Sequence, residues 1–276
     1  MPKISIIIPI FNAEKQITAC VNSLLKQTIK DIEVIFVDDH STDKSIISIK
    51  QFLQNQTTSI SFKFLETASN VGPGLARNMG IEASTGEYLL FIDADDWVEP
   101  TMCESLYKEA VSKNSDISYC NAIAHKGKNS WMLENPTYNG KKHYLTHYKA
   151  YLWTYCFRRQ FIVENQILFP CERSAEDSYF IACSILLCTK MAKVSKELYH
   201  YILYSTSISH KCDFSRYKQK ASVFNKLLRF AEKHNLINQY RWQLYYIYLK
   251  KVILTSIKDI FLNIKNHIFK KLKIEY

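Results

Sequence analysis

The sequence predicts an α/β chain, a mostly parallel sheet flanked by helices and followed by a helical carboxy-terminal extension. Three observations lead there. Over the first 120 residues, short β-rich runs alternate with stretches of helical period, the pattern of βαβ units. Each of the first four runs ends in a polar cluster, Asn12, then "DDHSTD", "NVGPGLARN" and "DADD", as in sheets that bind ligands beyond their strands' carboxyl ends. From Asp213 onward, apolar residues recur at helical spacing through two long helices. The second includes Ile253, Ile257, Ile260, Ile264, Ile268 and Leu272.

Strands are expected at residues 4–8, 33–37, 61–65, 87–92 and 117–120, where β-branched and aromatic residues concentrate. Helices are expected at 14–27, 43–52, 73–83 and 100–113. Ser41 and Thr42 stand where the second would be capped, and Pro73 and Pro100 suit first-turn positions. Four of the six glycines lie between 72 and 86, where the backbone must pass close to something. The "GKNSWMLENPTYNGKK" stretch reads as a polar lid loop, "SAEDSYFIACSILLC" as a helix opening on two carboxylates, and "MAKVSKELYHYILYSTSISH" as a strand pair. These elements divide the chain into a sheet domain, 1–210, split near residue 120, and a basic helical extension, 211–276.

Composition narrows the class. At 276 residues and 47% hydrophobic, the chain can bury a sizeable core. Residues 1–100 carry 8 Lys/Arg against 13 Asp/Glu and the remainder 28 against 13, a net of −5 and then +15. The second half therefore suits an anionic partner, and residues 211–276, with 15 Lys/Arg against 4 Asp/Glu and Ile-rich stripes, suit an anionic membrane surface. No recognised motif accompanies the charge, which argues against nucleic acid. Eight scattered cysteines without a CxxC pair read as reduced thiols of a cytoplasmic protein and make zinc a poor expectation. "MPKISIIIPIFN" reads as a first strand rather than a signal peptide, and no run approaches the roughly 18 apolar residues of a membrane span. The expected setting is cytoplasmic, peripheral on the inner membrane face.

Asp93, Asp95 and Asp96 follow directly on a buried strand, where crowded carboxylates repel one another and lose solvation. A divalent cation, Mg2+ or Mn2+, relieves that conflict if the segment stays extended and Asp93 and Asp95 point the same way. The alternative is a helix cap with acids in its first turn. Asp38 and Asp39 repeat the problem one strand away, either as acceptors for a base or ribose or as an Asx turn. "GPGLARN" has Arg77 where a dinucleotide fingerprint has its third glycine, so the stretch reads instead as presenting an arginine fork to a diphosphate or base.

Together, "SIIIPIFN", "EVIFVDDHSTD", "NVGPGLARNMGIEASTGEYLLFIDADD" and "AEDSYF" closely resemble family-2 inverting glycosyltransferases of the GT-A fold, over residues 3 to about 115 and more thinly beyond. That resemblance implies a nucleotide-binding sheet and transfer of a sugar from a nucleoside diphosphate, usually UDP, to an acceptor hydroxyl, with metal at the DXD motif. It would place Pro9, Phe11 and Asn12 around the uridine, Asp38 on the uracil with Asp39 beside it, and Arg77 at the nucleotide. Asp93 would reach ribose or metal and Asp95 the metal. It would make Asp177 the base, with Glu176 second, and His210 a third metal ligand or diphosphate contact. The helix start around Asp177 is expected to lower its pKa. His143 and His147 lack the glutamate of HExxH and read as structural.

The expected activity is metal-dependent, inverting transfer of a hexose or N-acetylhexosamine from a UDP-sugar to a glycan or lipid-linked glycan acceptor in surface-polysaccharide synthesis. Two rivals stand beside it. A sugar-1-phosphate nucleotidyltransferase would want a Gly-rich basic loop after the first strand, where this chain has "PIFNAEKQ". A non-catalytic nucleotide-sugar-binding protein would have no need of both acidic clusters.

Overall fold

Ile4–Ile10 (β1) carries no charge and is buried almost throughout, as a strand covered on both faces must be. In the computed structural model, which describes residues 1–204 and 214–254, it lies in the parallel order β3-β2-β1-β4. Its companions are β2 (Ile32–Asp38), β3 (Ser61–Glu66) and β4 (Tyr88–Phe91). The strand order reverses at β1, so a crevice opens beyond the carboxyl ends of β1 and β4. Side chains alternate across the sheet. Ile6, Ile8 and Ile10 join one core cluster, shared with Ile17 and Leu24 of α1 (Ile17–Leu25) and Met102 and Leu106 of α4 (Met102–Ser112). Ile7, Ile35 and Val37 join the opposite cluster, with Ala76 and Ile81 of α3 (Pro73–Ala83). At Gly80 of α3 an added Cβ would lie 2.4 Å from Ile7 Cγ2, so this helix lies on β1 closer than any larger residue permits.

Beyond β4 the sheet continues β8-β6-β9-β5, with β7 hydrogen-bonded to β6. These strands are β5 (Trp97–Val98), β6 (Ile117–Lys126), β7 (Asn129–Leu133), β8 (Tyr155–Arg158) and β9 (Met191–Ile202). β8 runs antiparallel between β4 and β6, and β9 runs parallel to β6. The remaining helices are α2 (Ser45–Gln54), α5 (Lys141–His147), α6 (Arg159–Glu164), α7 (Glu176–Leu187), α8 (Phe214–Lys233) and α9 (Ile237–Ile247), the last prolonged by a π-helical stretch, Tyr248–Leu254. α8 packs on α7 and α9 on α5, and Phe224, Leu227, Ala231, Leu244 and Val252 enter the same core cluster as Ile7 and Phe91.

Several expectations are corrected. Residues 129–133 of the expected lid instead pair with β6 as β7, Gly127 at positive φ closing a tight hairpin, and only 134–140 remain a loop. The strand pair is instead one strand, β9, of 12 residues, bent where its register against β6 shifts. Residues 205–213, and the tail positions Ile257 to Leu272, lie outside the described residues. α1 begins at Ile17 rather than residue 14. Among the described cysteines all seven are free thiols, and six are buried.

One buried carboxylate fastens the sheet's amino-terminal side. Glu33, 2% exposed, accepts from Ser5 Oγ, Thr85 N and Oγ1 and Gly86 N, and pairs with Lys63 Nζ at 2.8 Å. Burial alone would raise its pKa, but the bonds from Lys63, Ser5 and Thr85 together bring it from 4.5 down to about 2. A depressed folded-state pKa contributes stability that is present above the unfolded value and lost as pH falls through the folded one, here between 4.5 and about 2. Glu33→Gln is expected to cost about 2–3 kcal/mol near neutral pH and progressively less below about pH 4, measured by urea unfolding across that range.

Candidate active site

The carboxyl end of β1 is tied to the loop after β2. Asn12 takes a left-handed conformation, φ 52°, that Asn tolerates better than most residues. Its Oδ1 accepts from Thr42 N at 2.8 Å and its N–H donates to Ser41 Oγ at 3.1 Å. Asp38 Oδ1 accepts from Ser41 N at 3.0 Å, an Asx turn. Ser41 and Thr42 therefore do not cap α2, whose first residue Ser45 is bonded by Asp43 instead. Pro9 is half-buried at the end of β1, and Phe11 beyond it leaves 48% of its surface exposed. Asp39 is buried, and its carboxylate accepts from Val71 N, Gly72 N and Thr67 Oγ1 at 2.7, 2.8 and 3.1 Å. It fixes the turn ahead of α3, where Gly72 stands at φ 92°.

After β4 the acidic segment does not stay extended. It turns, Asp96 N donating to Asp93 O at 3.2 Å, and the three carboxylates part company. Asp96 is wholly buried, accepting from Tyr199 Oη at 2.6 Å and Ile202 N at 2.7 Å. Burial, with Asp93 and Asp95 adding to it, pushes its pKa well up. The same Tyr199 oxygen accepts from Asp93 N at 3.2 Å, so β9 holds the turn at two points. Burial, then the charge of Asp93, raises Asp95 to about 6. No described side chain pairs with Asp95.

Arg77, on α3 and only 5% exposed, joins this turn to α7. Its Nη2 donates to Asp93 Oδ1 at 2.8 Å and its Nη1 to Asp177 Oδ1 at 2.9 Å, while the guanidinium lies 5.5 Å from the centre of the Phe169 ring. Arg77 is thus no surface residue; its fork is spent on two carboxylates. Asp177 and Glu176 open α7 behind Ala175 in a left-handed conformation. The expected lowering at the helix start is overruled. Burial raises Asp177 first and foremost, and Glu176 and Asp93 add to that against the opposing pull of Arg77; Glu176 is raised by burial as well.

The structure therefore gathers Asp93, Asp95, Arg77, Glu176 and Asp177 into one cluster, with Asp38 closing β2 and Asn12 and Asp39 in the loops just beyond β1 and β2. His210 lies outside the described residues. His143 and His147 stack on each other on α5, exposed. Among the described residues no group of three or more His, Cys, Asp or Glu is arranged for a metal. The donor chemistry nonetheless fits a hard divalent cation. Asp95 is a half-buried carboxylate whose ionisation is opposed by burial and by the charge of Asp93, and a cation there would answer both. Sequence reading missed Tyr199, which fixes the turn, and Tyr204, whose phenol is raised by burial and then by Asp95 and Asp96. The only local signal for Tyr199 was its alternation with His200 in a β-rich run.

The family model for glycosyl transferase family 2 matches residues 5–172. EpsH of Bacillus subtilis (strain 168) is 28% identical over 256 residues, 88% of this chain and 73% of EpsH. The cholesterol galactosyltransferase of Borreliella burgdorferi is 29% identical, covering 92% of this chain and 76% of its own. TarS of Staphylococcus aureus, a poly(ribitol-phosphate) beta-N-acetylglucosaminyltransferase, is 31% identical over 209 residues, but this chain spans only 35% of it. The crystal structure of TarS 1–349 in complex with UDP-GlcNAc superposes with a TM-score of 0.70 at 22% identity, over 93% of this chain and 78% of that one, and so shares the fold. No described helix is long and apolar enough to cross a membrane. A matched family model over more than half the chain and a common GT-A architecture together make this chain a glycosyltransferase of glycosyl transferase family 2.

Proposed function

We propose that the chain transfers a hexose or N-acetylhexosamine from a UDP-sugar, with inversion, to a hydroxyl of a glycan or lipid-linked glycan in surface-polysaccharide synthesis. In this reading residues 1–120 hold the donor, 121–210 face the acceptor and 211–276 form a basic extension at the inner face of the cytoplasmic membrane. The observation that carries it is the Arg77 bridge. One guanidinium spans Asp93 and Asp177, so the acidic turn after β4 and the carboxylates opening α7 face the same small volume. A donor at the first and an acceptor at the second bring a sugar's anomeric carbon and an attacking hydroxyl together.

Asp93 and Asp95 are the residues suited to hold Mn2+ or Mg2+, which when bound would neutralise charge growing on the departing diphosphate. Exposed Phe11 offers a ring to the uracil base, and Asp38 an acceptor for its N–H. Asp39 serves at one remove, holding the loop that leads into Arg77's helix. Arg77 keeps Asp177 aligned and leaves its second oxygen to take the acceptor's proton. Raised by burial, Asp177 is a stronger base than an ordinary aspartate. TarS bound to UDP-GlcNAc supports the choice of donor, and the polymer and sterol substrates in its relatives' names support a surface or lipid acceptor.

Two variants test the assignment, each judged by UDP release and product formation. Asp95→Ala is expected to abolish transfer and to weaken Mn2+-dependent UDP binding in calorimetry while thermal unfolding stays near wild type; retention of more than about a tenth of the rate at saturating metal would remove Asp95 from the cation site. Asp177→Asn keeps the shape and the bond from Arg77 but not the basicity, so kcat should fall by roughly 10²–10⁴ with UDP affinity nearly unchanged. Glu176→Gln should cost much less, and the reverse order would make Glu176 the base.

A further inference from the structure

α9 has two unlike faces. Tyr240, Leu244 and Ile247 are buried in the core, and Val252 continues that face along the π-helical stretch. On the other side Trp242 is 77% exposed, Tyr245 59%, Tyr246 39% and Leu249 38%, at steps of three and four residues that make a single stripe. Leu254, 53% exposed, extends it where the described residues end. Scattered exposed apolar residues are ordinary, but a continuous aromatic stripe is not. Beside it opens a cleft of about 380 Å³, walled by Phe224, Leu228 and Ile237 below and by Trp242 and Tyr245 at its lip.

Charge decides what covers this face. Residues 214–254 hold nine Lys/Arg against one acidic residue, Glu232, and Arg241 and Lys250 stand exposed at the stripe itself, Lys250 lying 5.4 Å from the centre of the Tyr246 ring. The following 22 residues add five lysines against two acids, with Ile257, Ile260, Ile264, Ile268 and Leu272 at helical spacing. Two copies meeting here would bring like charges together. A bilayer bearing anionic lipids satisfies both features, since Trp and Tyr settle at headgroup depth, Leu enters the acyl boundary and flanking cations meet lipid phosphates.

We infer that the Trp242–Tyr245–Tyr246–Leu249 stripe of α9, flanked by Arg241 and Lys250, is a docking face for an anionic membrane surface. The inference deepens the peripheral placement proposed above and rests on that reading. It narrows the tail's role to one exposed helical face, and it leaves the buried face of the same helix to complete the core.

The test is sedimentation of the full chain with vesicles of phosphatidylcholine alone or with about a third phosphatidylglycerol, at low and high salt. Wild type is expected to bind the anionic vesicles at least about tenfold more strongly, and less so in salt. The triple substitution Trp242→Ser, Tyr245→Ser and Leu249→Ser, all at exposed positions, should reduce that binding by about tenfold or more, and Arg241→Gln with Lys250→Gln should reduce its salt-sensitive part. Transfer to a short soluble acceptor without vesicles is measured alongside and should survive the triple substitution, so loss of docking and failure of the transferase reading are told apart. Wild type that ignores anionic vesicles, a triple variant that binds them as before, or a lipid-free dimer dispersed by the same substitutions would each overturn the inference.

Discussion

A buried guanidinium must be paired, and Arg77 can satisfy that requirement only by drawing together two carboxylates from distant parts of the chain. Asp93 lies just beyond β4, and Asp177 opens α7, whose Phe180 meets Phe157 of β8 edge to face. Removing either partner would leave a cation 5% exposed with half its fork empty, so α3, the acidic turn and α7 are constrained as one body. The close seating of α3 on β1 through Gly80 carries that constraint back into the sheet. Chemistry and scaffold are here hard to separate, because the arginine that aligns the candidate base also docks its helix.

A second set of ties works by the same principle at lower charge. Asp96 and Tyr199 pin the turn to β9, Asp39 pins the start of α3 to β2, and Asn12 pins the end of β1 to the loop after β2. Each uses a polar side chain to satisfy backbone groups that an irregular loop leaves unpaired. Asp95 is the exception. No described side chain pairs with it, and what surrounds it raises its pKa rather than answering its charge. A carboxylate left in that condition is where an incoming cation has most to gain.

The parallel half was legible because its determinants are local. Short β-rich apolar runs, prolines at helix starts and polar clusters at strand ends lie within a few residues of what they decide, and β1 to β4 and α1 to α4 fall close to their expected places. The middle was harder for the opposite reason. β9 is held by β6 some 70 residues away, and its bulge keeps a long polar run, "KVSKEL", extended where the sequence alone reads as a break. Likewise "NSWML" gives little sign of being a strand until β6 is there to pair with it.

Within the site, the motifs gave residue identities but not their partners. The division of labour in the acidic turn, with Asp96 buried against Tyr199 while Asp95 stays unpaired, depends on a strand a hundred residues later. Even the direction of the Asp177 shift could not be read from its helix position, since the helix terminus acts on a charge that burial and two neighbouring carboxylates already disfavour. A helix start lowers a carboxylate's pKa when solvent keeps the other terms small. Here they are large, and the burial that raises Asp95 raises Asp177 as well.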